Sequence, residues 1–348
     1  MANPDSAPFR VASIGLGRWA KVIGDGATRS PRLQIVSCFT RDADKRAAFA
    51  GSYGCRQAES LEALLADSEV EGVMITTPND THADLIIRAA EAGKHVYTEK
   101  PISNSIEDAY RIVDACQKGG VRLAVGHSAR QLGPVRKIRQ MMEDGTLGDV
   151  SLVEANFSND RGLELTPDRW RWFKDKSPGG PLIQLAVHHV DTLQGLFGPI
   201  QNVSAQLRRL YTSAEVDDLA VLICSFERGP VAYIGTSWST AGVYSINVYG
   251  SGGAAFYQAD FSHWSAGDTD SYSSLQFQAR DSFERRPVTF EQVDMYRAEL
   301  EDWADAARSG RDPEVSGPEA TSALAVVWAA IQSSETGQTV TVQQRDSA

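Results

Sequence analysis

The chain of 348 residues has few cysteines, no excess of basic charge and no long hydrophobic run. Cys38, Cys55, Cys116 and Cys224 form no C-x-x-C pair, so the common zinc and disulfide patterns are excluded and no metal is expected. The formal net charge of −11 speaks against a nucleic-acid surface. No apolar stretch approaches the roughly 18 residues of a membrane span, and the N-terminus has no apolar signal core. We therefore expect a cytoplasmic protein with neither nucleic acid nor membrane as partner.

The length of the chain predicts two domains. The hydrophobic fraction of 42 % is enough for a substantial core. In the first third, short apolar runs alternate with helical patterns. The predicted strands are Phe9–Ile14, Leu33–Phe39, Gly72–Thr77, His95–Glu99 and Arg122–Val125, and the helices are Asp42–Tyr53, Ser60–Ala66, Thr81–Ala92 and Ser105–Lys118. Apolar strands separated by helices predict an α/β fold with a doubly wound parallel sheet. We assign residues 1–128 to this Rossmann-type dinucleotide-binding domain.

After residue 128, long strand patterns joined by short turns dominate, which is typical of antiparallel hairpins. The predicted strands are Val150–Phe157, Asn202–Arg208, Leu219–Phe226, Val231–Ser239, Ser245–Gly250 and Ala254–Ala259, followed by helices Phe290–Arg308 and Glu319–Glu335. Residues 129–348 are therefore expected to form an α+β domain on one large, mostly antiparallel open sheet that binds substrate and supports oligomerisation.

A glycine-rich turn, Gly15-Leu-Gly17-Arg18-Trp19-Ala20, follows the first predicted strand. The first glycine permits a tight turn, the second lets the backbone approach a pyrophosphate, and the third position needs only a small residue. Free N–H groups at the start of the next helix favour phosphate charge. Because a strand precedes the turn and a helix follows it, we favour a dinucleotide site over a structural turn. Gly15, Gly17, Arg18 and Trp19 are its candidate ligands.

The residues after the second strand bear on the choice of dinucleotide. An acidic residue there would bind the adenosine ribose and repel a 2′-phosphate, whereas this chain has Thr40 and Arg41, with Asp42 one step later. A hydroxyl and a guanidinium suit a 2′-phosphate, so we favour NADP over NAD. In the alternative interpretation, Thr40 and Asp42 only cap the next helix and Arg41 is solvated.

A lysine directly follows the strand His95–Glu99, in the sequence Glu99-Lys100-Pro101. Open α/β sheets bind ligands beyond the carboxyl ends of their strands. Lys100 is thus placed to bind a substrate hydroxyl and to stabilise the alkoxide that develops as hydride leaves. We expect Glu99 to hold Lys100, and Pro101 is a candidate for a cis bond. An ordinary surface ion pair of Glu99 and Lys100 is the alternative.

A second polar cluster lies far downstream, after Gly179-Gly180. Residues three and four apart share a helix face, so Gln184, His188 and Asp191 line up, while His189 points about a quarter turn away. A histidine that titrates near neutrality suits proton exchange with a substrate hydroxyl. The other interpretation is a histidine buried in the core.

Two further segments are candidates for substrate contact. His127 and Arg130 follow the fifth strand and suit a polyol or a carboxylate, although packing and surface charge explain them equally well. Trp170, Arg171 and Trp172 belong to a basic aromatic cluster whose rings suit sugar faces and whose arginines suit anionic or hydroxylated groups. Burial of the tryptophans at a domain interface is the alternative.

Taken in this order, the motifs resemble those of the Gfo/Idh/MocA family, the NAD(P)-dependent oxidoreductases that include glucose–fructose oxidoreductase and inositol dehydrogenase. The resemblance spans nearly the whole chain and includes the loop Thr77-Pro78-Asn79-Asp-Thr-His82. It implies that Lys100 is the catalytic lysine and that His188 takes the substrate proton. The cofactor ligands that it implies are Thr77, Pro78, Asn79, His82, Glu99, Lys100, Trp170 and Arg171.

The chain departs from the family pattern at two places. Gln184 stands where the family motif has an aspartate, and Ala186 where it has a glycine. An amide cannot act as a carboxylate base, so proton removal should depend on His188 with help from Lys100, while Gln184 orients a hydroxyl. The neighbouring His189 leaves open which histidine carries the proton.

The expected reaction is hydride transfer between a nicotinamide cofactor and a carbon of a sugar, cyclitol or related polyol. The substrate-binding candidates are Lys100, His127, Arg130, Trp172, Gln184, His188 and His189. The alternatives are a dihydrodiol dehydrogenase acting on an aromatic-acid diol and a non-catalytic NAD(P)-binding sensor. An open sheet needs cover on its second face, and the resemblance implies the same, so we expect a homodimer or homotetramer.

Overall fold

The computed structural model describes residues 7–343 and forms two compact units. The first unit comprises the residues up to His127 together with Met295–Thr321, and the second comprises Ser128–Asp294 together with the residues from Ser322. The expected division after residue 128 lies one residue from the observed one. Met295–Thr321, however, returns to the first unit, whereas the sequence assigned this segment to the second domain.

All strands of the first unit run parallel in a single sheet. They are β1 Phe9–Ile14, β2 Leu33–Phe39, β3 Arg56–Gln57, β4 Gly72–Ile75, β5 His95–Glu99 and β6 Leu123–Gly126. Their order is β3-β2-β1-β4-β5-β6. The order reverses between β1 and β4, which is the point where open α/β sheets bind ligands. This sheet confirms the doubly wound prediction.

Helices connect these strands. They are α1 Arg18–Thr28, α2 Ala43–Tyr53, α3 Leu61–Ala66, α4 His82–Glu91 and α5 Ile106–Gly119. Three begin at a side-chain cap, because Asp42, Ser60 and Ser105 each accept a hydrogen bond from a backbone N–H three residues on. The sequence predicted a helix after the glycine turn without bounds, and the predicted bounds of α2 to α5 agree with the observed ones within about one residue.

The second unit contains one nine-stranded sheet of order β14-β13-β12-β11-β7-β10-β9-β8-β15. Its strands are β7 Val150–Ser158, β8 Ile200–Arg208, β9 Leu219–Phe226, β10 Val231–Ser237, β11 Val243–Gly250, β12 Gly253–Ala259, β13 Ser273–Ala279, β14 Arg286–Pro287 and β15 Val340–Thr341. All pairs are antiparallel except β7 with β10. The mostly antiparallel sheet is thus confirmed.

Two helices of the second unit are α6 Gly133–Glu143, which the sequence reading missed, and α7 Val187–Phe197. A π-helical segment, Leu182–Ala186, leads directly into α7. Every residue from Leu182 to Leu193 is buried, so this stretch runs through the core of the unit.

The last helices are α8 Met295–Ser309 and α9 Gly317–Thr336. Trp303 of α8 packs edge-on against Phe9, with ring centroids 5.2 Å apart. The Trp303 ring also lies over Gly72, where a Cβ atom would come within 2.8 Å of it. These contacts place α8 on the first sheet and explain the return of this segment. Within residues 7–343, no helix is long and apolar enough to cross a membrane.

Candidate active site

The turn after β1 has the geometry of a dinucleotide cradle. Gly15 has a φ of +84°, a region that favours glycine, and a Cβ atom there would overlap Thr77 Cγ2. The Thr76 hydroxyl donates to the Gly15 carbonyl at 2.5 Å, and the Gly15 N–H donates to the Phe39 carbonyl at 3.0 Å. Only glycine allows the ends of β1, β2 and β4 to meet this closely.

Gly17 leaves the start of α1 open. It is the N-cap residue of that helix and provides no side-chain cap. A Cβ atom at Gly17 would find no heavy atom within 4 Å. Exposed N–H groups and the positive end of the helix dipole thus face unfilled space, which fits a pyrophosphate. Of the flanking candidates, Arg18 is exposed and Trp19 packs edge-on against Tyr296, with ring centroids 6.2 Å apart.

The carboxylate that follows the end of β2 belongs to Asp42, which caps the next helix. Asp42 accepts a hydrogen bond from the Lys45 N–H at 3.1 Å, which lowers the pKa of Asp42, and pairs with Lys45 Nζ at 3.4 Å. The capping interpretation is therefore right for Asp42. Arg46 donates to the Thr40 carbonyl at 2.5 Å and holds this turn. Arg41 is exposed.

The loop after β4 is tied to the segment that follows Lys100. His82 is completely buried, with Nδ1 at 2.9 Å from the Pro101 carbonyl and Nε2 at 3.1 Å from the Thr77 carbonyl. Burial lowers the pKa of His82. Asn79 is buried and donates to Asn104 Oδ1 at 3.2 Å. The His82 ring thus joins two loops of the first unit.

Pro78, the remaining candidate of that loop, is exposed. Lys100 follows the carboxyl end of β5 and is half-buried, and the Lys100–Pro101 bond is cis, as the sequence suggested. The Glu99 carboxylate is buried, with Oε1 at 3.4 Å from the Tyr97 hydroxyl. His127, just after β6, is 1 % exposed.

In the second unit, the structure brings Arg171 to Gln184. Arg171 Nε donates to Gln184 Oε1 at 3.2 Å, and the Arg171 guanidinium lies 4.1 Å from the Trp170 ring centroid. Gln184 is in the π-helical segment, and such segments occur frequently at functional sites. Trp172 is half-buried.

The two neighbouring histidines of α7 differ in their surroundings. The His188 ring lies 5.7 Å from both Phe157 and Trp264, and 4 % of this residue is exposed. His189 is completely buried, 4.6 Å from the Tyr244 ring, and burial lowers its pKa to about 4. His189 is therefore uncharged near neutral pH.

Arg130 differs from the sequence expectation. Its Nε and Nη2 donate to the two carboxylate oxygens of Asp191 at 2.6 and 2.8 Å, and both residues are buried. Gly195 makes room for the pair, because a Cβ atom there would lie 3.0 Å from Arg130 Nε. Burial raises the pKa of Asp191 to about 6, against the opposing effect of Arg130. This guanidinium holds α7 in place, so the alternative of a surface charge is wrong for Arg130, while its contact with substrate stays a prediction.

The sequence reading missed the aromatic surroundings of the histidines. Phe157 and Tyr244 occupy buried positions of strands, so period-two alternation could have located their face. Trp264 follows a short 3₁₀ turn outside the sheet, and no local pattern marks it. Within residues 7–343, no group of three or more His, Cys, Asp or Glu side chains could hold a metal ion.

Comparisons with known proteins agree with this geometry. Residues 9–127 match the oxidoreductase family with an NAD-binding Rossmann fold, and residues 135–256 match the GFO/IDH/MocA C-terminal domain. Two relatives resemble almost the whole chain. A 1,5-anhydro-D-fructose reductase from Ensifer adhaerens is 24 % identical over 95 % of this chain and 97 % of its own. An inositol 2-dehydrogenase from Rhizobium meliloti is 27 % identical over 93 % of this chain and 96 % of its own.

A crystal structure gives a nearer match. It is described as a candidate NADPH-dependent oxidoreductase from Desulfitobacterium hafniense and is 44 % identical, with a TM-score of 0.94 over 98 % of this chain and 99 % of its own. The two family models thus match successive parts of the chain. The chain belongs to the Gfo/Idh/MocA family of NAD(P)-dependent oxidoreductases.

Proposed function

We propose that the chain transfers a hydride between NADP(H) and a hydroxyl- or carbonyl-bearing carbon of a sugar, cyclitol or related polyol. One observation carries this proposal. The Gly15–Thr77 cradle and Lys100 follow the carboxyl ends of neighbouring parallel strands in the first sheet. Relatives named for an anhydro-sugar and for inositol support this substrate class.

The proposed chemistry divides between two side chains. The nicotinamide, when bound, supplies the hydride acceptor or donor. The Lys100 ammonium donates a hydrogen bond to the substrate oxygen and stabilises its developing negative charge. His188 accepts the hydroxyl proton during oxidation and returns it during reduction. His189 is unsuited to that step because burial lowers its pKa to about 4.

Gln184 orients the substrate in this proposal. Its Oε1 accepts a hydrogen bond from Arg171, which fixes the orientation of the side-chain amide. An amide whose oxygen is held in this way presents its N–H groups in a defined direction. Gln184 therefore serves as a hydrogen-bond donor to a hydroxyl and not as a base.

The preference for NADP is supported by the end of β2. Asp42 is engaged by Lys45, and Arg41, the residue before it, is exposed. A carboxylate that faced the ribose would favour NAD. The description of the Desulfitobacterium protein as NADPH-dependent supports the same choice.

A homo-oligomer is supported by the second sheet. Leu152, Ile223, Val231 and Tyr233 are exposed, and strand register pairs Val231 with Leu152 and Tyr233 with Ile223. They form one apolar patch on one face of the sheet, and such patches mark association surfaces. We propose that this face pairs with a second copy. A cytoplasmic location is supported by four free thiols.

The test is absorbance of the reduced nicotinamide with a panel of sugars, cyclitols and cis- and trans-dihydrodiols under both cofactors. We expect turnover of a polyol, faster with NADP. If only dihydrodiols were turned over, the substrate class would be aromatic diols and not sugars or cyclitols. Tight cofactor binding without turnover of any compound would establish a sensor instead.

A further inference from the structure

A buried group of three oxygen-bearing side chains lies next to Lys100 in the first unit. The Tyr97 hydroxyl of β5 donates to Glu299 Oε1 of α8 at 2.7 Å and lies 3.4 Å from Glu99 Oε1. Tyr97 is fully buried, and Glu99 and Glu299 are each 8 % exposed. Two carboxylates therefore lie against one phenol inside the unit: the short hydrogen bond goes to Glu299, and Glu99 packs against the hydroxyl oxygen.

The neighbouring strand is shaped around this phenol. Glu99 pairs with Gly126 of β6, and a Cβ atom at Gly126 would lie 2.5 Å from the Tyr97 hydroxyl and 3.2 Å from Glu99 Oε1. Any larger residue at position 126 would displace the hydroxyl or the carboxylate. The space at the end of β5 thus fits the Tyr97–Glu99 contact closely.

Folding alone does not require this arrangement. Buried carboxylates are costly, and apolar side chains of similar volume usually serve stability as well or better. The next buried residue on this face of α8 is apolar: Trp303, one turn beyond Glu299, packs on Phe9 and lies 6.0 Å from the Tyr97 ring. Burial and the two carboxylates raise the pKa of Tyr97 well above its ordinary value, so its hydroxyl stays protonated and donates.

We propose that Tyr97 and Glu299 are positioning residues for Lys100. Glu299 fixes the Tyr97 hydroxyl, the hydroxyl restrains the Glu99 carboxylate, and Glu99 restrains the backbone to which Lys100 is joined. The ammonium is thereby held where a substrate oxygen meets it, which rests on the function proposed for Lys100. α8 thus connects a distant part of the sequence to the reacting group.

The experiment compares Tyr97→Phe, Glu299→Gln and Glu299→Leu with a control, Trp303→Phe, on the same helix face. Two quantities are measured on the full chain. The first is the steady-state rate at which the ketone or aldehyde corresponding to the panel polyol is reduced, with 4-protiated and 4-deuterated reduced cofactor compared for the isotope effect. The second is the rate at which reductive methylation labels Lys100, read by peptide mass spectrometry, which needs no turnover.

We expect Tyr97→Phe and Glu299→Leu to lower kcat by about 10- to 100-fold with a small change in KM, because misplacement by about 1 Å has effects of this size. The isotope effect should rise as hydride transfer becomes rate-limiting, and Lys100 should be labelled severalfold faster. Glu299→Gln retains an acceptor and should restore most of the rate. Trp303→Phe should lower thermal stability without changing the isotope effect or the labelling.

The inference would be overturned if Tyr97→Phe kept the wild-type kcat and the wild-type labelling rate of Lys100. It would also be overturned if Trp303→Phe lowered kcat as much as Tyr97→Phe does. If the wild type reduces or oxidises no compound of the panel, the proposed function fails. The labelling rates still decide the inference in that case: faster labelling in Tyr97→Phe and Glu299→Leu supports positioning, and unchanged labelling rejects it.

Discussion

The two units hold their functional groups in place by different means. In the first, the candidate residues follow the carboxyl ends of parallel strands, and backbone contacts such as Thr76 to Gly15 and His82 to Pro101 define their places. In the second, His188 lies on a buried helix among aromatic rings. Strand direction thus places the first set, whereas tertiary packing places the second. Substitutions should accordingly affect chemistry in one unit and both chemistry and stability in the other.

Lys100→Ala tests the first unit and should have the largest effect. We expect kcat to fall by about 10²- to 10⁴-fold, the range for loss of a group that acts on the transferred proton or its charge. Cofactor affinity should stay near the wild-type value, because the Gly15–Thr77 cradle is unchanged. Stopped-flow rates and fluorescence titration with reduced cofactor measure the two quantities.

The exposed Lys118 of α5 offers a matched control. Lys118→Ala should behave as the wild type in both measurements. A Lys100→Ala protein that retained its rate would remove Lys100 from the chemistry.

His188→Ala and His189→Phe test the second unit side by side. We expect His188→Ala to lower kcat by about 10²-fold, the lower end of the range for a general acid–base group. His189→Phe keeps a ring against Tyr244 and should retain most of the rate. Because burial lowers the pKa of His189 to about 4, its replacement should also leave the pH profile between pH 5 and 9 unchanged.

Profiles of kcat against pH for the two variants provide the measurement. A profile that flattens in His189→Phe and persists in His188→Ala would reverse the assignment.

The contrast between strand direction in the first unit and tertiary packing in the second also explains which features the sequence could predict. The bounds of β1 and β5 agree with prediction residue for residue, because Gly15 directly follows β1 and Lys100-Pro101 directly follows β5. The cradle was predictable as well, since Gly15 and Gly17 follow a strand directly. Helix α8 was predicted from its pattern, but the amphipathic period shows only that one face is buried and not which sheet covers it.

Contacts between distant segments were not predictable. Arg130 and Asp191 are 61 residues apart, and no local rule pairs them. Helical spacing placed Asp191 on the same face as Gln184 and His188. It could not show that the carboxylate of Asp191 forms an ion pair with the buried guanidinium of Arg130. Tyr97 and Glu299 are separated by 202 residues and were missed for the same reason.

Arg130→Met measures what packing contributes in the second unit. Removing one partner of a buried ion pair costs about 3–5 kcal/mol of the free energy of unfolding. We expect this loss near pH 8, where Asp191 is ionised in the wild type. Chemical denaturation monitored by tryptophan fluorescence gives the value. The exposed Arg111, paired with Asp108 on α5, offers a control, because Arg111→Met should cost no more than about 1 kcal/mol.

The loss in Arg130→Met should depend on pH with a definite sign. Burial raises the pKa of Asp191 from 3.8 to about 6, so the protonated form stabilises the fold at low pH and that contribution fades as the pH rises to 6. Arg130 acts on the ionised form, so its removal should cost little below pH 5 and most above pH 7. A loss that is independent of pH would show that the pair is not ionised in the wild type.

Arg41→Ala addresses the first unit again and should have the smallest effect. If the exposed guanidinium binds the 2′-phosphate of NADP, its loss should lower the ratio of kcat/KM for NADP to that for NAD by about tenfold, equivalent to about 1.4 kcal/mol. Arg46 provides the contrast, because it holds the Thr40 carbonyl, and Arg46→Met should weaken both cofactors alike. A ratio unchanged in Arg41→Ala would mean that other groups of this turn, and not the guanidinium, select between NADP and NAD.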